Sequence, residues 1–300
     1  MSAASRYVAA GILSAVIWGF FSIPLRNLKA YPAEEILYYR IFTSVILIWG
    51  AILLFRRRKL EADKLYLRSS SFRQRRLIFW QILLSTVLLV SNWYTFIYAI
   101  NNVSLKSGAF AYMVCPLITA FGGFVILKEQ LSVTKFIALG LALLSIMLLA
   151  TGSLVEVTWS VIIAALYAFY LIIQRKMQHL DKLNVLAVQI SLAVVILLPF
   201  YFSGHHELPE TLLFWTNIIV IAALFTIIPL FLSLYALIGI SSSTLGIMIY
   251  INPIIAFAVA ILYFGEGVDH HQFFAYSLLL FAVFLFNWNI IKDIFTFKVK

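Results

Sequence analysis

Residues 98–129, YAINNVSLKSGAFAYMVCPLITAFGGFVILKE, come back 137 positions later as 235–266, YALIGISSSTLGIMIYINPIIAFAVAILYFGE. Only six positions are identical, but they include the residues least expected to coincide in apolar sequence. Tyr98 falls on Tyr235, Ala99 on Ala236, Ser104 on Ser241, Pro116 on Pro253 and Glu129 on Glu266. Each copy therefore carries a proline in mid-span and an acidic stop thirteen residues after it. A second correspondence lies upstream. Trp18 and Arg26 are eight apart, as are Tyr167 and Arg175, 149 residues later, and Phe20 falls on Phe169. The offset drops from 149 to 137 because segment 56–76 has 21 residues where its counterpart 203–211 has nine. Two parts of the chain thus agree on a duplication, with halves at 1–152 and 153–300.

The medium in which two such halves fold follows from composition. The chain is 63% hydrophobic and 11% charged, whereas a soluble domain is about half apolar and a quarter charged. That much apolar surface cannot be hidden from water, so the chain belongs in a bilayer. A helical span needs about 20 mostly apolar residues. Ten segments qualify: roughly 7–25, 34–55, 77–100, 107–127, 133–151, 157–174, 185–202, 212–238, 242–264 and 272–291. None shows the polar–apolar alternation of a membrane barrel strand. The expected fold is all-α and polytopic, ten transmembrane helices in two five-helix repeats. Five is odd, so the repeats enter the membrane in opposite directions. Inverted repeats are a recurring plan of secondary transporters, with the substrate site near the midplane where the repeats meet.

The net charge of +10 orients the chain and does not point to nucleic acid. With the N-terminus cytoplasmic, all but four of the 22 Lys and Arg fall on the cytoplasmic side, the exceptions being Arg26, Lys29, Lys106 and the intramembrane Arg40. That is the positive-inside pattern, and it puts both termini in the cytoplasm. The basic loop 56–76, with Arg56, Arg57, Arg58 and Lys59, is expected to touch anionic lipid headgroups. The first span begins directly after Arg6 with no small-x-small cleavage site, so it reads as a retained helix. A single cysteine, Cys115, excludes an internal disulfide.

Candidate site residues come from polar and aromatic groups inside the spans. Gly11, Ala15 and Gly19 have the four-residue spacing that lets another helix approach. Arg40 lies two turns inside its span, where a charge is costly unless paired or facing water. It either pairs with Glu34 or Glu35 or faces a cavity and attracts a carboxylate or phosphate. Asn92 either joins helices or contacts ligand. Gly108, Tyr112, Cys115, Thr119 and Gly122 make one small, weakly polar helix face. Pro116 and Pro253 are expected hinges, freeing the carbonyls of Tyr112 and Ile249, and Asn252 stands where the first copy has Cys115. Glu129 and Glu266 are each expected to cap the helix that follows. The histidines His205, His206, His270 and His271 lie in connections and are read as solvated, with no metal site. No span pairs a nucleophile with His or Asp, no glycine-rich phosphate loop occurs, and no soluble domain for ATP hydrolysis is present. An enzyme and a resident cofactor are not expected.

Several stretches resemble the EamA group of the drug/metabolite transporter superfamily, and within it the RarD-type permeases. They are YPAEEILYYR at 31–40, SNWYTFIYAINN at 91–102, the segment with Pro116 and Glu129, IIPLFLSLYALIGISSSTLGIMIYINP at 227–253, and FGE at 264–266. The resemblance implies two EamA repeats, an inner-membrane location, and ATP-independent movement of small organic solutes through a cavity between the repeats. Glu35, Arg40, Asn92, Trp93, Tyr112, Pro116, Pro253 and Glu266 sit on matching motif positions. Cys115 and Asn252 depart from the asparagine and glycine usual there. The expected function is a secondary transporter of small organic metabolites, such as amino acids or amphipathic compounds, acting as a monomer. Trp18, Tyr112, Tyr167 and Tyr250 would line the cavity, with Arg40, Asn92 and Asn252 orienting the solute. The alternative is a non-transporting membrane adaptor that holds a partner on loop 56–76.

Overall fold

Apolar runs of this length leave the backbone no water to bond to, so it must satisfy itself along helices. The computed structural model describes residues 3–28, 30–102, 105–149, 154–204, 208–263, 265, 270–286 and 288. Helices carry almost all of them, and no strand occurs among the described residues. The first half holds α1 (Ala3–Gly19), α2 (Ser22–Arg26), α3 (Ala33–Phe55), α4 (Arg57–Ser69), α5 (Phe72–Asn102), α6 (Leu105–Leu127) and α7 (Val133–Leu149). The second holds α8 (Leu154–Lys176), α9 (Lys182–Ser203), α10 (Leu212–Ala222), a π-turn (Ala223–Ile227), α11 (Ile228–Gly239), α12 (Ser242–Met248), α13 (Ile251–Leu262) and α14 (His270–Phe286).

Six stretches are long and apolar enough to cross a membrane: Ser5–Arg26, Glu34–Phe55, Phe72–Phe96, Thr158–Lys176, Lys182–Ser203 and Leu212–Gly239. Shorter apolar helices run over Ala111–Leu127, Val133–Leu148, Ser242–Ala256 and Phe273–Phe286. Large apolar side chains such as Ile46, Leu54, Phe121, Val195, Phe202 and Leu213 stand exposed on their outer faces. Exposed apolar surface on this scale needs a non-aqueous neighbour, and the chain is an integral membrane protein.

Proline interrupts two of the spans, at Pro229 and at Pro253. In the span Leu212–Gly239, Pro229 has no N–H for the carbonyl of Phe225, four residues back. The chain responds with the π-turn, and the indole N–H of Trp18 donates to the Phe225 carbonyl at 2.9 Å. Near Pro253 the helix breaks outright. α12 ends at Met248, Ile249 and Tyr250 form a turn, and α13 restarts with Pro253 in its first turn. The carbonyl of Ile249 accepts from the backbone N–H of Asn252 at 3.0 Å. Pro116, its sequence counterpart, sits inside the uninterrupted α6.

The basic segment 56–76 is not a loop. Its Arg, Lys, Leu, Glu and Ala are good helix formers, and 57–69 folds as α4. Its inner side is tied down. The Asp63 carboxylate accepts from the backbone N–H of Asp181 at 3.1 Å and from Asn184 Nδ2 at 2.6 Å. Asp181 in turn caps α9 and pairs with Arg56 at 2.7 Å. The Tyr66 ring stacks on His179 with centroids 5.8 Å apart. Arg57, Arg58, Lys59, Lys64, Leu65 and Arg68 face outward.

Packing runs mainly between the halves. α1 lies on α11 and α13, α3 on α9 and α10, α5 on α8 and α9, α6 on α8 and α12, and α7 on α14. Small residues permit the closest approaches. A Cβ on Gly19 would lie 2.5 Å from Ile255 on α13, one on Gly122 2.5 Å from Ile172 on α8, and one on Gly246 2.8 Å from Thr119 on α6. The spacing of Gly11, Ala15 and Gly19 thus serves helix contact, with Gly11 set against Met248 and Leu245 of α12. Gly140, by contrast, has open space where its Cβ would be. Gly246→Leu is expected to cost about 1–3 kcal/mol by overpacking, while Gly140→Ala is expected to be neutral or stabilising by up to about 1 kcal/mol. Thermal unfolding of the two variants in detergent checks the contrast.

Candidate functional site

The site is built around Arg40, a cation carried two turns into a span. Arg40 lies on α3, and its guanidinium stands over the Trp93 ring of α5, 5.0 Å from the centroid. Its Nε is buried with no hydrogen-bond partner. Among the described residues no carboxylate forms an ion pair with it, so the expected pairing with Glu34 or Glu35 is not what the fold provides. A helix turns roughly 100° per residue, which sets Glu35 about 140° around the axis from Arg40. Tyr112 of α6 is near enough to Arg40 for electrostatic interaction, and its ring meets Phe96 of α5 edge-on at 5.4 Å.

Packed in the same cluster as Trp93 are aromatic rings from α1 and α8. Trp18 meets Tyr167 edge-on at 6.0 Å, and Tyr167 stacks on Tyr170 at 5.7 Å. The Trp18 N–H is committed to the Phe225 carbonyl, so only the ring is left to meet a solute. Cys115 packs in the same apolar cluster as Tyr167 and Tyr170, and Tyr112 and Tyr250 lie within electrostatic reach of its thiol. Cys115 is buried beside Thr119, whose Oγ1 donates to the Cys115 carbonyl at 2.8 Å. The hydroxyls of Tyr167, Tyr170 and Tyr250 and the amide of Gln174 are buried, with Ser233 beside the Tyr167 hydroxyl and Gln174 beside that of Tyr170. Tyr170 and Gln174 escaped the sequence reading. Their signal was the spacing 167, 170, 174, one face of a helix.

The remaining predicted residues are placed less centrally. Asn92 is buried and gives its amide N–H to the carbonyl of Ile163 on α8 at 2.8 Å, which joins α5 to α8. Asn252 is partly buried in the first turn of α13, where its backbone carbonyl faces Gly19 of α1. Pro116 and Pro253 are both buried.

Glu129 corrects a second expectation. It does not cap α7, the helix that follows. Lys128 adopts a left-handed backbone (φ 56°) and turns the chain back, so that Glu129 N–H donates to the Gly123 carbonyl at 3.1 Å. Its carboxylate then reaches the start of α12. Oε1 accepts from the Ser242 N–H at 2.7 Å and its hydroxyl at 2.9 Å, and Oε2 from the Ser243 N–H at 3.0 Å and its hydroxyl at 2.5 Å. Ser132 serves α7 in its place, its hydroxyl accepting from the Lys135 N–H at 3.4 Å. Glu266, His205, His206, Glu207 and Asp269 lie outside the described residues.

A helical membrane protein with a cation, buried tyrosine hydroxyls and aromatic rings gathered between its two halves has the form of a solute carrier. The EamA-like transporter family model matches residues 5–151 and again 154–288, and the chain belongs to that family. An uncharacterized transporter of Pseudomonas aeruginosa is 30% identical over 294 residues, covering 93% of this chain and 92% of that protein. Protein RarD of Streptomyces exfoliatus is 26% identical over 286 residues (92% and 86%), and protein RarD of Escherichia coli 25% over 278 residues (90% and 90%). A crystal structure with 11% sequence identity superposes with a TM-score of 0.73 over 94% of this chain and 96% of its own, a likeness of fold alone. The chain is a membrane transporter of the RarD type.

Trp18→Phe keeps the ring but removes the N–H and leaves the Phe225 carbonyl unpaired inside the membrane. It is expected to destabilise the protein by about 1–3 kcal/mol, seen as a lowered unfolding midpoint in detergent, with Trp18→Tyr no better.

Proposed function

We propose that the chain is a secondary transporter of small organic metabolites, amino acids or amphipathic compounds, working by alternating access between two inverted five-helix repeats at 1–152 and 153–300. The observation that carries this reading is the Arg40 guanidinium over Trp93, beside Tyr112, in the apolar cluster where Tyr167 and Tyr170 of the second half meet Trp18 of the first. Sites of this kind are mostly apolar with a few placed polar groups. Helix packing supports the inverted repeat. α1 lies on α11 as α8 lies on α5, α6 on α8 as α13 on α1, and α3 on α10 as α9 on α5. The pairs α3–α9, α6–α12 and α7–α14 are then their own counterparts. The six long and four shorter apolar helices among the described residues support a count of ten spans. Both termini and the outward arginines of α4 face the cytoplasm, where α4 rests against anionic lipid headgroups of the inner membrane. The protein works as a monomer.

Glu129 gives the mechanism its first gate. At the α4 end of the bundle its carboxylate closes α6 of one repeat onto α12 of the other through four hydrogen bonds. Ser243 also donates to the Ala120 carbonyl at 3.3 Å, and Thr119 packs on Gly246 one turn deeper. Opening a path on this side requires these contacts to part. Hydrogen bonds to a charged group contribute about 1.5–3 kcal/mol each, so Glu129→Gln, which weakens several, is expected to raise the open population about tenfold or more. The native Cys115, 1% exposed, reports it: a maleimide added from the α4 side should label the variant faster. Equal labelling rates would dismiss Glu129 as a gate.

Transport itself is tested by loading liposomes that contain the purified protein with a mixture of labelled amino acids and other small metabolites. Selective release beyond that from empty liposomes, lost in an Arg40→Ala, Asn252→Ala double variant, is expected. No release of any solute from folded protein, with or without a proton gradient, would overturn the transporter of small organic metabolites. It would leave α4 as an adaptor surface.

A further inference from the structure

Two hydrogen bonds inside the bundle fall on matching positions of the two repeats. The Ser14 hydroxyl of α1 donates to the Pro229 carbonyl of α11 at 2.8 Å. The Asn92 amide of α5 donates to the Ile163 carbonyl of α8, also at 2.8 Å. The offset of 149 that sets Trp18 on Tyr167 sets Ser14 on Ile163, and the offset of 137 that sets Tyr98 on Tyr235 sets Asn92 on Pro229. The same pair of positions is therefore bonded twice, with the donor on α1 in one case and on α5, the counterpart of α11, in the other. Neither position keeps its residue type, so the contact is matched where the sequence is not. Each acceptor is a helix carbonyl with a second lone pair to give, so neither bond costs its helix a rung of the backbone ladder. Ring contacts repeat the pattern. Tyr235 of α11 lies 5.1 Å from Tyr7 of α1, and its counterpart Tyr98 of α5 lies 4.9 Å from Trp159 of α8. Ala236 and Ala99, the next residues along, are both fully buried. Ser14 is the twelfth residue of α1 and Ile163 the tenth of α8, so both joints lie inside spans.

We propose that these two joints, α1 on α11 and α8 on α5, are paired pivots of the transport cycle, which hold while the α6–α12 contact at Glu129 parts. The inference rests on the inverted-repeat transporter proposed above. In such a protein the second state arises when each repeat takes up the conformation of the other. A contact that both repeats already make is present before and after that exchange. A contact that shuts one side of the bundle, as Glu129 does through Ser242 and Ser243, is not. Each joint also crosses between the halves, since α1 and α5 belong to the first and α11 and α8 to the second. The halves can then turn on both joints without leaving a donor unpaired in the apolar interior, where a lost partner is not replaced by water. A bond present in both states stabilises both alike and shifts no population between them. Ser14 and Asn92 are thus positioning residues. They set where the halves turn.

Two cross-links test the contrast. Ser14→Cys with Ser233→Cys bridges α1 to α11 at hydroxyl oxygens that lie 2.7 Å apart, within the reach of a disulfide. Gly123→Cys with Ser243→Cys bridges α6 to α12, since a Cβ on Gly123 would lie 2.6 Å from the Ser243 hydroxyl. Each full-length protein sits in liposomes loaded with labelled amino acids and other small metabolites and is compared with itself before and after oxidation. The unsubstituted protein, whose one cysteine is the buried Cys115, controls for the oxidant. Release is expected to be unchanged when the α1–α11 pair is oxidised and lost when the α6–α12 pair is. Maleimide labelling of Cys115 is a second measurement that needs neither a disulfide nor a solute, and it decides if a cysteine pair does not fold or cross-link. Ser14→Ala and Asn92→Ala should lower the unfolding midpoint and leave the labelling rate from either side unchanged, whereas Glu129→Gln raises it from the α4 side. Loss of release on oxidising the α1–α11 pair would overturn the pivots and leave the transporter intact. A folded Ser14→Ala or Asn92→Ala variant that labels faster, as Glu129→Gln does, would do the same. Release that survives both cross-links would overturn the contrast and the inference with it. Absence of release from the reduced and unsubstituted proteins alike would overturn the transporter reading, on which the pivots depend.

Discussion

The structure depends on how closely α6 can approach its neighbours. Gly122 lets α8 in from one side, and Gly123, Thr119 and the facing Gly246 let α12 in from the other. In a bilayer, helices gain little from hiding apolar surface from one another, because lipid tails are equally apolar. Association comes from close van der Waals fit and from polar groups that bond across helices. α6 has both. Its small face gives the fit, and Glu129 just beyond its end supplies the polar bond to α12. That contact and the packing on α8 bring Tyr112 and Cys115 to the place where Tyr167 and Tyr250 arrive from the second half.

Unmet backbone groups organise the rest. Pro229 and Pro253 each withdraw a donor from a helix buried in apolar surroundings, and each freed carbonyl is answered, one by Trp18 and one by the Asn252 backbone. The first answer pins α1 to the π-turn of the opposite half, reinforced by the Ser14 hydroxyl, which donates to the Pro229 carbonyl at 2.8 Å. The second opens the turn that places Tyr250 in the cluster. Irregular backbone at membrane depth is tolerated where protein surrounds it, and here the irregular points border the proposed solute site.

Much of this was legible in the residues. The membrane character, the helices and their approximate limits, and the two matched halves came from apolar run length and coincident rare residues. Arg40, Asn92 and Cys115 could be singled out because polar groups inside spans are uncommon, whereas nothing in the sequence separates Tyr112, Tyr167 and Tyr250 from the many other aromatics of the spans. What misled was sequence proximity. Glu129 stands next to α7 in the chain and so suggested a cap for α7, whereas a left-handed Lys128 sends it to α12. Glu35 is near Arg40 in number but on another side of the helix. Segment 56–76 reads as a charged loop until Asp63 and Tyr66 find partners around residues 179–184. The two prolines align at the same position and yet act differently, since only Pro253 coincides with a broken helix.

The sequence by itself determined that this chain spans a membrane as a bundle of helices and that Arg40 would be carried two turns into it. Run length and composition suffice for that, because the cost of exposing backbone or charge to hydrocarbon does not depend on which helix lies beside which. Tertiary structure alone decided what the cation meets, which carboxylate bridges the halves, and whether a given aromatic faces the centre or the lipid. Those outcomes turn on contacts between residues more than a hundred positions apart, and helix periodicity carries no information about the partner across such a gap.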